Sequence, residues 1–232
     1  MRSFPTAMKR SFLLLALTAL CGTALISASD SAAKKRVLIL GDSISIGYTP
    51  FVQKMLADEM VVLRPMAKNG KAENCSGTKS GVANIDRWLL IEGGKWDVIH
   101  FNWGLHDLKH EVDGKVSTLA TDPPQSTVEA YEKQLREIVT KLKATGAKLV
   151  FATTTPVPEG PLSPYRADAD VVRYNEAALR VMKENGVAVD DLYAFVKPQE
   201  AKVQLPANVH FNPEGYKALA EAVVKSIRAA LK

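Results

Sequence analysis

Cysteine is scarce in this sequence. Only Cys21 and Cys75 occur among 232 residues, and Cys21 lies in an apolar segment close to the N-terminus. A disulfide-stapled scaffold is excluded for the part of the chain beyond that segment, which must be held by its hydrophobic core. An excess of one charge is missing as well. The 30 Lys and Arg against 25 Asp and Glu give +5, and removal of residues 1–29, with three basic and no acidic residues, lowers this to +2. So even a balance gives no basis for strong nucleic-acid binding. Internal repeats and low-complexity tracts are also absent.

What the N-terminus contains is ordered: Arg2, Lys9 and Arg10, then the uncharged run "SFLLLALTALCGTALIS", then small residues up to Ser29. Basic, apolar and small segments in that order make a secretory signal peptide, with cleavage expected near residue 29. The apolar run falls just short of the roughly 20 residues that span a bilayer, so no stable membrane insertion is expected after cleavage. Leu20, bulky where a lipoprotein signal wants a small residue, argues against anchoring at Cys21. The expected location is secreted or periplasmic. The organisation read from the chain is 1–29 signal peptide, 30–35 charged linker and 36–232 a single domain.

Along 36–232, apolar runs alternate with amphipathic stretches. Strands are expected at 36–41, 60–65, 96–103, 147–155 and 186–192, and helices at about 49–59, 81–92, 126–145, 168–185 and 213–231. The third and fourth strands are apolar without alternation, as parallel strands covered on both faces are. The expected fold class is α/β, a three-layer α/β/α sandwich around a mostly parallel five-stranded sheet. Long irregular segments at 66–80, 104–125, 156–167 and 198–212 are where the chemistry is to be sought, because ligands gather at the carboxyl ends of such strands.

Ser43 lies just past the first strand in "VLILGDSISIGY", where either Asp42 or Ser43 also suits a helix cap. His210 lies in a late loop before Pro213, a residue suited to a first helical turn. A serine at one strand end and a histidine in a late loop are the parts of nucleophilic acyl transfer, since a serine hydroxyl is weak until a base takes its proton. His100, His106, Asp107 and His110 crowd eleven positions, and His106 with His110 have the i, i+4 spacing of paired metal ligands on a helix. His100 sits within an apolar strand, however, and the other two follow Gly104 without a helical pattern; no metal is expected. Trp88 and Trp96 read as packing residues, Trp103 as either packing or a platform for a sugar ring, and Cys75 as a small buried residue. Tyr165 and Arg166, in a Pro-rich rim, are candidates for substrate contact.

"GDSISIGY" and "VHFNPEGYKALA" resemble the first and last blocks of the SGNH hydrolases, the GDSL-type esterases, and the resemblance extends over about 36–232. It implies a flavodoxin-like fold, Ser43 as nucleophile, His210 as base and no cofactor. It also implies an oxyanion hole from the Ser43 and Gly77 backbone N–H groups, Gly77 lying in "CSGT", with Gly70 as the fallback. Two positions depart from the family pattern. His106 stands where the third block has an asparagine, and Ala207 where the last block has the aspartate that orients the histidine. An imidazole N–H can also donate to an oxyanion, so His106 is the expected third donor, with Asn102 behind it. Asn208 can orient a ring without supplying charge, and Glu111 or Asp113 are the nearest carboxylates to stand in.

The implied function is hydrolysis of a short-chain acyl ester, acetyl on a carbohydrate by preference, through a Ser43 acyl-enzyme. The alternatives are a lysophospholipase or thioesterase of the same fold, or a non-catalytic carbohydrate-binding protein. The expected partner is a small-molecule or carbohydrate ester, with Trp103 as the candidate substrate-binding residue and the oligomeric state left open.

Overall fold

In the computed structural model, which describes Met1, Ser3 and residues 33–232, the first apolar run of the domain becomes strand β1 (Lys35–Leu40), with Val37–Leu40 fully buried. Apart from Met1 and Ser3, the expected leader lies outside the described residues, as does the first half of the expected linker. The linker's last residue, Lys35, already belongs to β1.

After β1 come α1 (Ser43–Leu56), β2 (Met60–Leu63), α2 (Thr78–Leu89), β3 (Val98–Phe101), a small hairpin of β4 (Glu111–Val112) and β5 (Lys115–Val116), and α3 (Val128–Lys143). The chain continues through β6 (Lys148–Ala152), α4 (Asp168–Asn185), β7 (Ala188–Asp190), two short helices α5 (Leu192–Val196) and α6 (Glu200–Val203), and α7 (Pro213–Ala230). The main sheet has the order β2-β1-β3-β6-β7 with every pair parallel, Val37 lying between Val62 and Val98, and Phe151 between Phe101 and Val189. The expected α/β class and five parallel strands are those observed.

Alternation along β3 shows how the layers form. Residues one apart point to opposite faces. His100 meets the Tyr48 ring of α1 edge-on, whereas Trp103, an odd number of residues on, stacks against Trp88 of α2 at 6.3 Å between centroids. Helices α1 and α7 therefore cover one face, and α2, α3 and α4 the other. Close approach of α1 to α7 depends on Gly47, because a Cβ there would come 2.1 Å from the Tyr216 ring. Each fully buried aliphatic side chain in these layers contributes about 1.5–3 kcal/mol.

Several element boundaries differ from expectation. Helix α1 starts at Ser43 rather than 49, because Pro50 sits inside it instead of opening it. The segment 104–125 contains the β4–β5 hairpin, turned by Asp113-Gly114 with both residues at positive φ, the Asp-Gly signature of a two-residue turn. The last strand stops at Asp190, where Asp191 caps α5 by accepting from the Ala194 N–H. Among the described residues no helix is long and apolar enough to cross a membrane.

The strand order places a topological switch point between β1 and β3, the position where open parallel sheets bind ligands. Ser43 follows the first of these strands and His106 the second.

Candidate active site

Ser43 is presented by a tight strand-to-helix junction. Asp42 takes the N-cap, its Oδ1 accepting from the Ile44 N–H at 2.9 Å, and its carbonyl accepts the first helical bond from Ile46. Ser43 is thus the first residue of α1, where a backbone N–H has no intrahelical acceptor. Asp42, Ile44 and Ser45 are buried around it and Ser43 alone is partly exposed.

His210 reaches Ser43 from a loop closed on itself. The Asn212 N–H donates to the Val203 carbonyl at 3.0 Å and the Leu205 N–H to the His210 carbonyl at 2.9 Å. Gln204 Nε2 ties the loop to the Pro156 carbonyl, and Asn212 caps α7 with Pro213 in its first turn. The His210 Nε2 lies 2.9 Å from Ser43 Oγ, and its Nδ1 lies 2.8 Å from Asn208 Oδ1. That same Oδ1 accepts the His210 backbone N–H at 3.0 Å, which identifies it as the amide oxygen. The ring proton therefore sits on Nδ1, leaving Nε2 to accept from the Ser43 hydroxyl.

The partner of His210 is neither of the carboxylates expected. Glu111 pairs with Lys109 at 3.4 Å, and Asp113 sits at the hairpin turn. Ala207 occupies a left-handed conformation at φ +47°, and the following residue, Asn208, turns back onto the ring.

The loops expected to hold the oxyanion are tied to this junction. The Cys75 N–H donates to the Gly41 carbonyl at 3.1 Å, and the Arg64 guanidinium spans the Gly41 and Glu73 carbonyls and the Thr49 hydroxyl. Gly77 is the N-cap of α2 and has no side chain to do the capping. Asp107 does it instead, its Oδ1 accepting from the Thr78 N–H at 2.8 Å and the Thr78 hydroxyl at 2.5 Å. A Cβ on Gly77 would lie 3.0 Å from that oxygen. Asp107 thereby joins the Gly77 loop to the segment carrying His106. Gly70 lies in an exposed turn. The bend before His106 requires Gly104, at φ +151°, where a Cβ would come 2.2 Å from Thr154 Oγ1.

Electrostatics favour a neutral His106. Burial lowers its pKa first; Asp42 opposes this, while Arg166, Lys109 and His210 push further in the same direction. A neutral imidazole keeps one N–H to donate. Burial likewise pushes the Asp107 carboxyl up to about 6 and the Cys75 thiol up to about 12, which makes Cys75 an inert small residue.

Trp103 is not a sugar platform. It is 1% exposed, packed between Trp88 and Phe101, with its carbonyl accepting from the Tyr131 hydroxyl. Asn102, the residue just past β3, is satisfied, its amide donating to the Ala152 carbonyl at 2.8 Å. The other histidines disperse: His100 pairs with Asp190 in the sheet, and His110 meets the Tyr165 ring edge-on. Among the described residues no three potential ligands converge on a metal position.

One contributor escaped the sequence reading. Arg64 ends the run "MVVLR", a charge at the ligand edge of an apolar strand, and this was the signal available for it. Asn208, named from the sequence as able to orient the ring without charge, is the residue that lies against Nδ1, at 2.8 Å.

Residues 39–218 match the model of the GDSL-like Lipase/Acylhydrolase family. The chain belongs to this family. It is accordingly a hydrolase acting on ester bonds. Similar solved structures include a lipase/acylhydrolase from Enterococcus faecalis, 21% identical with a TM-score of 0.66, covering 85% of this chain and 97% of that one. An acetyl xylan esterase, AlAXEase, is 16% identical with a TM-score of 0.64, covering 83% and 99%. Axe2, an acetylxylan esterase from Geobacillus stearothermophilus, is 16% identical with a TM-score of 0.62, covering 83% and 94%. A search of curated proteins finds no match.

Proposed function

We propose that this hydrolase is a serine esterase that removes a short acyl group, acetyl by preference, from a carbohydrate, working as a secreted or periplasmic enzyme once residues 1–29 are removed. The observation that carries the reading is the chain of contacts from Ser43 Oγ through His210 to Asn208, at 2.9 and 2.8 Å. Ser43 Oγ bonds to the ester carbon while its proton passes to His210 Nε2 and the carbonyl electron pair moves onto oxygen. The backbone N–H groups of Ser43 and Gly77, with the His106 ring, hold that oxygen. Collapse breaks the bond to the alcohol, which leaves with the proton from Nε2. Water then attacks the acyl-enzyme by the same route, releasing the acid and restoring Ser43.

Asn208 sets the tautomer without stabilising the imidazolium by charge, so turnover is expected to be modest. The acetyl preference is supported by the scaffold, since two solved proteins of this fold are acetyl xylan esterases.

A panel of acetylated sugars and of short- and long-chain nitrophenyl esters tests the reading. Acetyl esters should be hydrolysed and longer acyl chains progressively less. A fluorophosphonate should label Ser43 and leave Ser43→Ala unlabelled. Labelling of another residue overturns the assignment of the nucleophile, and a preference for long chains overturns the short-acyl reading.

A further inference from the structure

Arg166 has a setting unlike that of the other arginines among the described residues. Arg87, Arg136, Arg173, Arg180 and Arg228 each pair with a carboxylate. Arg64 is enclosed by carbonyls and hydroxyls, and Arg36 bonds the Glu92 carbonyl and lies over Trp96. Arg166 makes a single hydrogen bond, from Nε to the Leu105 carbonyl at 2.8 Å, and its two terminal nitrogens have no acceptor among the described residues. Leu105 immediately precedes His106, so this bond fixes the guanidinium beside the candidate oxyanion segment.

The arginine is also held rigidly. The preceding residue, Tyr165, donates its N–H to the Ser117 carbonyl at 2.7 Å and accepts the His110 N–H at 3.1 Å. Two sides of the segment are thus pinned before any ligand arrives, which lowers the ordering cost of binding. Burial pushes the guanidinium down to about 10, and Asp42 alone acts to restore it. Asp42 already accepts the Ile44 N–H as the cap of α1. A charge kept partly desolvated without a partner is costly to the fold, and such groups concentrate at functional sites.

We propose that Arg166 receives a carboxylate of the substrate, so that the enzyme's preferred esters are those of acidic sugars such as uronic acids. The inference rests on the esterase reading and deepens it. The planar fork of a guanidinium matches a carboxylate through two parallel hydrogen bonds. A single carboxylate suits the charge available, because the neighbouring Lys109 is already paired with Glu111. A doubly charged phosphate would need a second unpaired cation.

The test compares kcat/KM for O-acetylated glucuronate with that for glucose acetylated on the same hydroxyl, in wild type, Arg166→Gln and Arg166→Lys. Wild type should favour the glucuronate ester at least tenfold, chiefly through KM. The ratio should collapse toward one in Arg166→Gln and be partly retained in Arg166→Lys. A wild-type ratio near one, or an unchanged ratio in Arg166→Gln, overturns the proposal, and a merely structural arginine would lower both rates together. Acetylated glucose 6-phosphate as a third substrate overturns the carboxylate assignment if it is preferred to the glucuronate ester. Binding of free glucuronate, followed by calorimetry on wild type and Arg166→Gln, decides the question even if Ser43 takes no fluorophosphonate. Loss of binding in the variant upholds Arg166 although the esterase mechanism fails, and equal binding in both, or none to wild type, overturns it.

Discussion

Ser226, His100 and Asp190 form a cluster with the residue types of a nucleophilic triad; Ser43, His210 and Asn208 form another that lacks the acid. In the first, both partners converge on the carboxylate: Asp190 Oδ2 accepts from Ser226 Oγ at 3.0 Å and lies 3.1 Å from His100 Nε2. The other His100 nitrogen is buried with no partner, so no serine can pass it a proton. In the second, the histidine is central, with its proton directed at Asn208 and its bare nitrogen at Ser43. The order of contacts and access to the sheet's carboxyl edge separate a structural tie from a candidate for catalysis. The first cluster fastens the edge strand β7 and helix α7 to the central strand β3, across the intervening β6.

The largest difference between the clusters should appear when each loses its hydroxyl. Ser43→Ala should lower kcat/KM by about a millionfold, to background, as loss of a nucleophile does. Ser226→Ala should leave turnover unchanged and cost about 1 kcal/mol of stability. Parallel ester assays and urea unfolding of the two variants check this, and equal effects on activity would erase the distinction.

A smaller effect is expected at the oxyanion. His106→Ala should cost about 2.7–4 kcal/mol in the barrier, seen in kcat, whereas His106→Asn should retain most activity because an amide also donates. Equal, near wild-type rates for both variants would remove His106 from the hole and leave it to backbone groups.

Next comes the missing charge. Asn208→Asp keeps an oxygen where the His210 backbone N–H and Nδ1 donate and adds the negative charge that stabilises an imidazolium. It should raise kcat/KM by roughly tenfold or more, while Asn208→Ala, which frees the ring, should lower it by up to about a hundredfold. Rates measured on one acetyl ester check both, and an Asp variant no faster than wild type would show that orientation alone limits this histidine.

These contrasts also show what could be read from residues alone. The five strands were legible because the buried parallel ones are continuous apolar runs, and Ser43 and His210 because they fall where such a sheet places its loops. Trp103 was legible in principle: it shares the face of Phe101 by alternation, and that face lies against α2. The start of α1 was obscured by Pro50, which normally costs a helix interior about 3 kcal/mol. Asn208 was legible as a residue able to orient the ring, but not as its partner in preference to Glu111 or Asp113, since the contact depends on Ala207 turning left-handed and on a loop fastened at Pro156. Asp107 drew attention as a metal-ligand type and as a residue just past the third strand, but not as the cap of α2, because its partner Thr78 lies 29 residues away.

Asp107 provides the subtlest test, for it is a buried acid that serves the site without joining the reaction. It caps α2 beneath Gly77, and burial raises its carboxyl from the ordinary 3.8 to about 6, against the hydrogen bonds from Thr78 that act to lower it. The folded protein therefore binds this proton more tightly than the unfolded chain does. Between about pH 4 and 6 the native state is the more protonated, so this group's contribution to stability falls as pH rises through that window and its cost is complete above it. Two pKa units correspond to about 3 kcal/mol. Asp107→Asn keeps an oxygen for the Thr78 N–H and removes the ionisation. The stability of wild type relative to this variant should accordingly increase by up to about 3 kcal/mol as pH is lowered from 7 to 4, other carboxylates affecting both proteins alike. Urea unfolding of the pair across that range checks it, and a pH-independent difference would mean that Asp107 does not titrate in this window. Asp107→Ala, which leaves Thr78 without its cap, should reduce kcat more than Asp107→Asn does, because the loop bearing Gly77 would then lose its tie to the segment bearing His106.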